Sequence, residues 1–178
     1  AAFLAIVTIV EVGRTGLLQN ALVKFLSIAG KDGYESITEE EQEQYKKIAT
    51  ASLYMNVIET ICLVLLLYFF APLISELVHV PKLKPLLQLH CLTTNALIPF
   101  LQFNFMQQSN LEFRGIFWGT FVRQSIYFLY ILSFFLLNLK IELTNLVLIR
   151  TLGVAGGAFF SYYFARPFLK FDNKVNWE

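Results

Sequence analysis

The sequence predicts an all-α fold, a polytopic bundle of membrane-spanning helices, on three observations. Hydrophobic residues make up 56% of the chain and charged residues only 15%, whereas soluble domains carry about 25% charged residues. Apolar stretches of about 20 residues, the length that crosses ~30 Å of hydrocarbon, recur along the sequence. The alternating pattern of a membrane β-strand is absent from the sequence, and an open sheet would leave backbone groups unpaired in lipid. We therefore expect a protein that spans a membrane several times.

Apolar composition places five spans along the chain. Their ranges are 1–28, 49–75, 84–106, 112–138 and 142–165. Because proline interrupts a helix, Pro72 and Pro81 with Pro85 are expected to bracket the turn between the second and third spans, and Pro167 follows the end of the fifth. Pro99 is expected to kink the third span near its end.

The segment 29–48 differs in composition from the spans and is predicted to be a cytosolic loop and helix. Ser36 and Glu39 have the spacing of a capping box. Four glutamates precede Lys46 and Lys47, an order that the helix macrodipole favours. This solvated helix leads into the second span.

Lysine and arginine residues in the connections predict the topology. The larger basic set lies on one side of the membrane and comprises Lys24, Lys31, Lys46, Lys47, Arg114, Arg166, Lys170 and Lys174. The smaller set, on the other side, is Lys82, Lys84 and Lys140. The first side, with a tail over 166–178, is therefore expected to be cytoplasmic. The chain begins at Ala1, without Met and already in apolar sequence, so we expect at least one preceding helix.

The sequence carries no familiar signature of a metal site or a hydrolase. Cys62 and Cys91 lack metal-ligand spacing, and His79 and His90 form neither H-x-x-H nor H-E-x-x-H. There is also no Gly-rich phosphate loop, no G-x-S-x-G motif and no clustered acid pair. We therefore expect no metal, no cofactor, no enzymatic activity and no nucleic-acid partner.

Three arginines, Arg14, Arg123 and Arg150, fall within otherwise apolar spans. A charged side chain at the bilayer centre costs at least ~2.5 to 3.5 kcal/mol, so it normally faces a polar cavity, a partner or an anionic ligand. Only two acids, Glu11 and Glu59, lie at comparable positions in the spans, and two acids cannot neutralise three bases. The imbalance predicts a buried electropositive cavity for an anionic substrate.

A structural alternative stays open for these charges. Glu11 and Arg14 lie three residues apart on one helix face, so Arg14 could neutralise Glu11, and Arg123 could neutralise Glu59. Polar side chains would then serve only to join helices. Small residues are predicted to pack helices together at four positions, Gly13, Gly16, Gly153 and Gly157.

Several stretches together resemble a known transporter family. They are EVGRTGLLQNALVKFLS, then IATASLYMNVIETICLVLLLYFFAPLI, a lysine-proline turn, and QQSNLEFRGIF before the fourth span. These are similar to the oligosaccharide flippases, the polysaccharide-transporter branch of the multidrug/oligosaccharidyl-lipid/polysaccharide superfamily. The resemblance covers the whole chain, aligned to the second through sixth helices of an amino-terminal six-helix lobe. It implies a multi-pass protein of the bacterial cytoplasmic (inner) membrane. Two such lobes would form a cavity that alternates between faces and moves a lipid-linked oligosaccharide outward for surface polysaccharide biosynthesis.

The resemblance also implies roles for individual residues and partners. Glu11, Arg14 and Lys24 match family positions that would hold the diphosphate of the polyprenyl carrier, whereas Arg123 and Arg150 are assigned from their depth in the spans. The predicted substrate-binding residues are Arg14, Arg123, Arg150, Lys24 and Asn95. Glu11 and Glu59 are predicted to form ion pairs or to couple transport to a cation, Na⁺ or H⁺. Membrane lipid and polysaccharide assembly proteins are further expected partners.

Three rival functions remain at this stage. An ion-coupled multidrug antiporter of the same superfamily would favour an acidic cavity for cationic substrates, which the excess of arginine opposes. An integral membrane enzyme acting on polyprenyl-phosphate sugars generally needs a larger extramembrane loop or an acidic metal-binding motif. A purely structural membrane subunit accounts for the spans and leaves the buried charges unexplained.

Overall fold

The computed structural model describes residues 2–29, 39–138 and 142–169, and every regular element in these ranges is helical. The elements are α1 (Ala2–Ala29), α2 (Glu39–Leu77), α3 (Leu83–Ser109), α4 (Arg114–Leu136), α5 (Leu143–Ala165) and a short 3-10 helix (Arg166–Phe168). The predicted all-α class is confirmed. The predictions for Ser36, Lys31, Lys140 and the tail beyond residue 169 lie outside the described residues.

The second helix differs from the expectation at both ends. The predicted cytosolic helix and the second span form one continuous helix, and Pro72 lies inside it rather than at its end. Membrane helices tolerate an internal proline because neighbouring groups satisfy the freed backbone carbonyl. At ~1.5 Å per residue, the 39 residues of α2 span roughly 58 Å, well beyond the hydrocarbon thickness. Three left-handed residues, His79, Leu111 and Asn138, follow the ends of α2, α3 and α4.

Helix α3 is the centre of the bundle, since it packs against α1, α2, α4 and α5. Within the described residues, three helical segments are long and apolar enough to cross a membrane, Gln42–Leu77, Arg114–Leu136 and Leu143–Phe168. Only 17%, 6% and 28% of their most apolar windows are buried in the bundle, so most of these side chains are available to lipid. The more polar α3 instead buries its polar side chains, including His90, Thr94 and Gln102, against its neighbours. That α1 and α3 also cross the membrane stays a prediction.

Glycines allow α4 and α5 to approach at backbone distance. A Cβ added at Gly157 would lie 2.6 Å from the carbonyl oxygen of Gly119, and one at Gly153 would lie 2.9 Å from that of Arg123. The packing role predicted for Gly153 and Gly157 is therefore confirmed. For Gly13 and Gly16 it is wrong within the described part of the chain, because no atom lies within 4 Å of an added Cβ.

Candidate functional site

Arg14 lies in the interior of the bundle, with only 3% of its surface exposed. Its Nη2 donates hydrogen bonds to Asn56 Oδ1 at 2.8 Å and to Thr60 Oγ1 at 2.6 Å. Its Nη1 donates to the backbone carbonyl of Thr94 at 3.1 Å. One guanidinium on α1 thus joins α2 and α3. In this conformation the Arg14 guanidinium is hydrogen-bonded to protein groups of α2 and α3, so its predicted contact with substrate stays a prediction.

Glu59 is the charged neighbour of Arg14 on α2. The two groups interact electrostatically, although no Arg14 nitrogen lies within 4.0 Å of the carboxylate. Glu59 Oε2 is buried and has no hydrogen-bond partner among the described residues. The alternative in which Arg123 neutralises Glu59 is wrong, because the basic group that interacts electrostatically with Glu59 is Arg14.

Glu11 is paired with Arg150, although 139 positions separate the two in the sequence. Arg150 Nη2 donates to both carboxylate oxygens of Glu11, each at 2.8 Å. The ion pair expected between Glu11 and Arg14 is therefore not observed. Arg14 turns toward the oxygens of α2 and α3, which leaves Glu11 to reach across to α5. Both members of the pair are partly open, with 28% of the Arg150 side chain and 26% of the Glu11 side chain exposed.

Arg123 is half-buried and has a different environment from the other two arginines. Its guanidinium carbon lies 5.1 Å from the centroid of the Phe100 ring, a cation-π contact that holds the charge against α3. Among the described residues, no carboxylate lies within 4.0 Å of it. Arg123 thus has no carboxylate in direct contact in that part of the chain, and it interacts electrostatically with Glu11 over a longer distance.

A cavity of about 290 Å³ opens beside Arg123 between α4 and α5. Its lining residues are Arg123, Gln124, Tyr127, Arg150 and Val154. A smaller, more apolar cavity of about 60 Å³ adjoins it across Tyr127 and Arg150 and is also lined by Phe3, Leu143, Leu146 and Val147. The larger volume lies close to the ~300 Å³ at which ligand pockets begin. The fold thus brings two of the three predicted arginines to one cavity.

The remaining predicted residues do not line this cavity. Lys24 is exposed on α1. Asn95 is exposed on α3, and its Nδ2 donates to the carbonyl of Cys91, one turn earlier, at 2.8 Å. Sequence reasoning did not identify Gln124 or Phe100. Gln124 and Tyr127 are three residues apart and so share a helix face, a signal present in the sequence, whereas the contact of Phe100 with Arg123 appears only in the folded chain.

The comparison with protein families places this helical bundle among known proteins. Residues 2–177 match the family model described as "Polysaccharide biosynthesis protein". The chain belongs to this family. No curated protein and no solved structure matches the chain significantly. The resemblance to the oligosaccharide flippases is thereby confirmed at the level of the family.

Membership of the polysaccharide biosynthesis family fixes the general class of the protein. The family consists of integral membrane proteins that are transporters rather than enzymes. Together with three membrane-length helices, it gives the chain a membrane location and a flippase role in polysaccharide synthesis. The cavity between α4 and α5 is the candidate site for that role.

Proposed function

We propose that this protein moves a polyprenyl-diphosphate-linked oligosaccharide across the cytoplasmic membrane, and that Arg123 and Arg150 bind the diphosphate. One observation carries the proposal. Arg123 faces a cavity in the membrane interior, shares it with Arg150, and has no carboxylate within 4.0 Å among the described residues. Glu11 is bound by Arg150 and also interacts with Arg123, so one acid faces two arginines and an anionic ligand would neutralise the excess positive charge.

The chemistry of the cavity suits a diphosphate. The guanidinium group is planar, stays charged in a low-dielectric site and donates two parallel hydrogen bonds to phosphate oxygens. Contact with Phe100 restricts the Arg123 side chain before any ligand binds, which lowers the entropy lost on binding. Gln124 and Tyr127 line the same cavity and add neutral donors for further oxygens.

The same lining disfavours the antiporter alternative. A site for cationic drugs requires negative charge, and the residues that line this cavity include two arginines and no acid. The nearest acid, Glu11, is already bound by Arg150. A cation entering the cavity would meet an excess of positive charge in a medium where Coulomb interactions are strong.

Transport then requires that the ligand contacts differ between the inward-facing and outward-facing states. We propose alternating access, with Arg123 and Arg150 holding the diphosphate near the membrane interior while the cavity changes the face to which it opens. Lys24, exposed on α1, would make an earlier contact with the carrier at the cytosolic side. Arg14 would hold α1 against α2 and α3 through its three hydrogen bonds.

Replacing Arg123 by glutamine tests the proposal. Each charge-assisted hydrogen bond contributes about 1.5 to 3 kcal/mol, so its loss predicts a decrease in export of roughly tenfold or more. The measurement is the amount of lipid-linked oligosaccharide exported by cells that depend on this protein, normalised to its abundance in the membrane. Arg123→Lys keeps the charge without the planar fork, and we expect it to retain only part of the activity.

Arg166→Gln is the matched control, because it removes an exposed arginine at the end of α5 that does not line the cavity. Its export should stay close to wild type. Normal export by Arg123→Gln at normal abundance would remove the diphosphate site from the cavity and leave the family role without a located substrate site.

A further inference from the structure

His90 on α3 is completely buried, yet neither of its ring nitrogens has a hydrogen-bond partner among the described residues. The ring packs edge-on against Phe3, with the centroids 5.9 Å apart. Buried polar nitrogens are normally hydrogen-bonded, and a native exception calls for an explanation. A contact that His90 does not make in this conformation would account for its unpartnered nitrogens.

The atom that His90 can reach is a carboxylate oxygen of Glu11. His90 Nε2 lies 3.9 Å from Glu11 Oε1, and Arg150 Nη2 lies 2.8 Å from that same oxygen. Glu11 is therefore placed between two bases on two helices and is bonded to one of them. A charge-assisted hydrogen bond is about 2.8 Å long, so a shift of ~1 Å would bring Nε2 into contact.

We propose that His90 is the alternative partner of Glu11, and that an anion bound by Arg150 is thereby linked to the uptake of one proton by the His90–Glu11 pair. The inference rests on the proposed function, because the anion occupies the same cavity. Nothing in the family match assigns a role to His90.

The linkage follows from what Glu11 loses when Arg150 turns to a ligand. An anion in the cavity attracts the Arg150 guanidinium, which already lines it. Glu11 then loses its hydrogen-bonded partner and keeps only the longer-range attraction of Arg14 and Arg123. A proton from solvent then adds to the His90 imidazole, so that both ring nitrogens carry a hydrogen. The Nε2–H group donates a hydrogen bond to Glu11 Oε1. The pair becomes neutral again, and the protein has gained a proton with its ligand.

Other charged and titratable groups near His90 are occupied differently. On the five helices they are Glu11 and Arg14 of α1, Glu59 of α2, Cys91 of α3, Arg123 of α4 and Arg150 of α5. Arg14 is bound by α2 and α3 and interacts with Glu59. Cys91 Sγ lies 3.6 Å from the carbonyl of Leu87, one turn earlier. Arg123 lies over Phe100 and lines the cavity. It interacts with Glu11 only through longer-range electrostatics, without a hydrogen bond, so it would strengthen anion binding and leave the Glu11 oxygens to Arg150 and His90.

The test measures binding of inorganic pyrophosphate to the purified protein in detergent between pH 6 and pH 8. Wild type is compared with His90→Gln and with Glu11→Gln, which removes the charge that His90 would meet. The ionisation of pyrophosphate is the same in all three experiments, so a difference in pH dependence belongs to the protein. Full linkage of one proton contributes about tenfold in affinity per pH unit, lost as the pH rises.

We expect the dissociation constant of wild type to rise at least about fivefold more over this range than that of either variant. In weakly buffered solution, wild type should also take up more protons, or release fewer, per bound pyrophosphate than either variant, because the protons of pyrophosphate itself cancel in this comparison. Equal pH dependence in the three proteins, with binding that Arg123→Gln abolishes, would overturn the proton link and leave the diphosphate site intact. Absence of pyrophosphate binding to wild type would overturn both. Glu11→Gln is nearly isosteric and partly exposed, so it decides the question if His90→Gln does not fold.

Discussion

Alanine at position 157 is expected to lower the amount of folded protein in the membrane several-fold, although it adds a single methyl group. The new Cβ would lie 2.6 Å from the Gly119 carbonyl oxygen, 3.1 Å from Phe100 Cε2 and 3.2 Å from Arg123 Cβ. A side chain can rotate out of such a contact, but the Gly119 carbonyl belongs to the backbone of α4. The helices must therefore separate, and overpacking of this kind costs about 1 to 3 kcal/mol, with the upper end expected here.

Gly156→Ala is the matched control, one position away on the same helix. Its Cβ would lie 2.9 Å from Ile126 Cδ1, the end of a flexible side chain that can move aside, so we expect a cost below about 1 kcal/mol. Thermal unfolding in detergent and abundance in the membrane measure both variants. If the two behave alike, the close contact between α4 and α5 does not contribute to stability as the geometry requires.

The cavity and this helix contact depend on each other. After the Gly119 carbonyl oxygen, the atoms nearest to a Cβ at Gly157 belong to the side chains of Phe100 and Arg123, and Phe100 contacts the Arg123 guanidinium. Any Gly157→Ala protein that still folds is therefore expected to place Arg123 differently and to export less per folded molecule. Close packing of small residues serves the site as well as the bundle.

The sequence predicts the bounds of α4 and α5 closely because apolar length is a direct requirement of the bilayer. Predicted spans such as 112–138 and 142–165 differ from α4 (Arg114–Leu136) and α5 (Leu143–Ala165) by two residues or fewer at each end. The position of Pro72 inside α2 was not predictable from the residue alone, because a proline ends a helix in water but is often retained in a membrane helix.

At the candidate site, the sequence predicts which charged residues matter but not which residues they contact. The desolvation cost of charge in lipid identifies Arg123 and Arg150 without any structural information. It does not identify their partners. A spacing of three residues shows that Glu11 and Arg14 share a face, but the choice of Glu11 for Arg150 depends on where α5 packs. The pairing of Arg123 with Phe100 depends in the same way on tertiary contact.

Replacing Arg14 by leucine is the second change for which we expect a large effect, a loss of about 2 to 5 kcal/mol of stability. Interhelical hydrogen bonds in membranes contribute about 0.6 to 1.7 kcal/mol each, and Arg14 makes three of them. Its removal also leaves Asn56 Oδ1 without its donor. The partly buried carboxylate of Glu59 loses its neighbouring cation as well, and removing one partner of a desolvated charge pair costs more than replacing both.

The second-site variant Glu59→Gln separates these contributions. If the uncompensated carboxylate accounts for much of the loss, Arg14→Leu/Glu59→Gln should be more stable than Arg14→Leu by about 1 kcal/mol or more, a coupling that a double-mutant cycle measures from thermal unfolding. Equal stability of the two would show that Arg14 acts through its hydrogen bonds to Asn56, Thr60 and Thr94 alone.

The same double variant decides whether Arg14 also meets the substrate. The geometry places Arg14 in the interior with 3% of its surface exposed, whereas Arg123 and Arg150 line the cavity. A folded Arg14→Leu/Glu59→Gln protein is therefore expected to keep most of its export per molecule, in contrast to Arg123→Gln. Loss of export at restored stability would mean that Arg14 leaves Asn56 and Thr60 during transport, since only a conformation with a freed guanidinium could bring it to a phosphate.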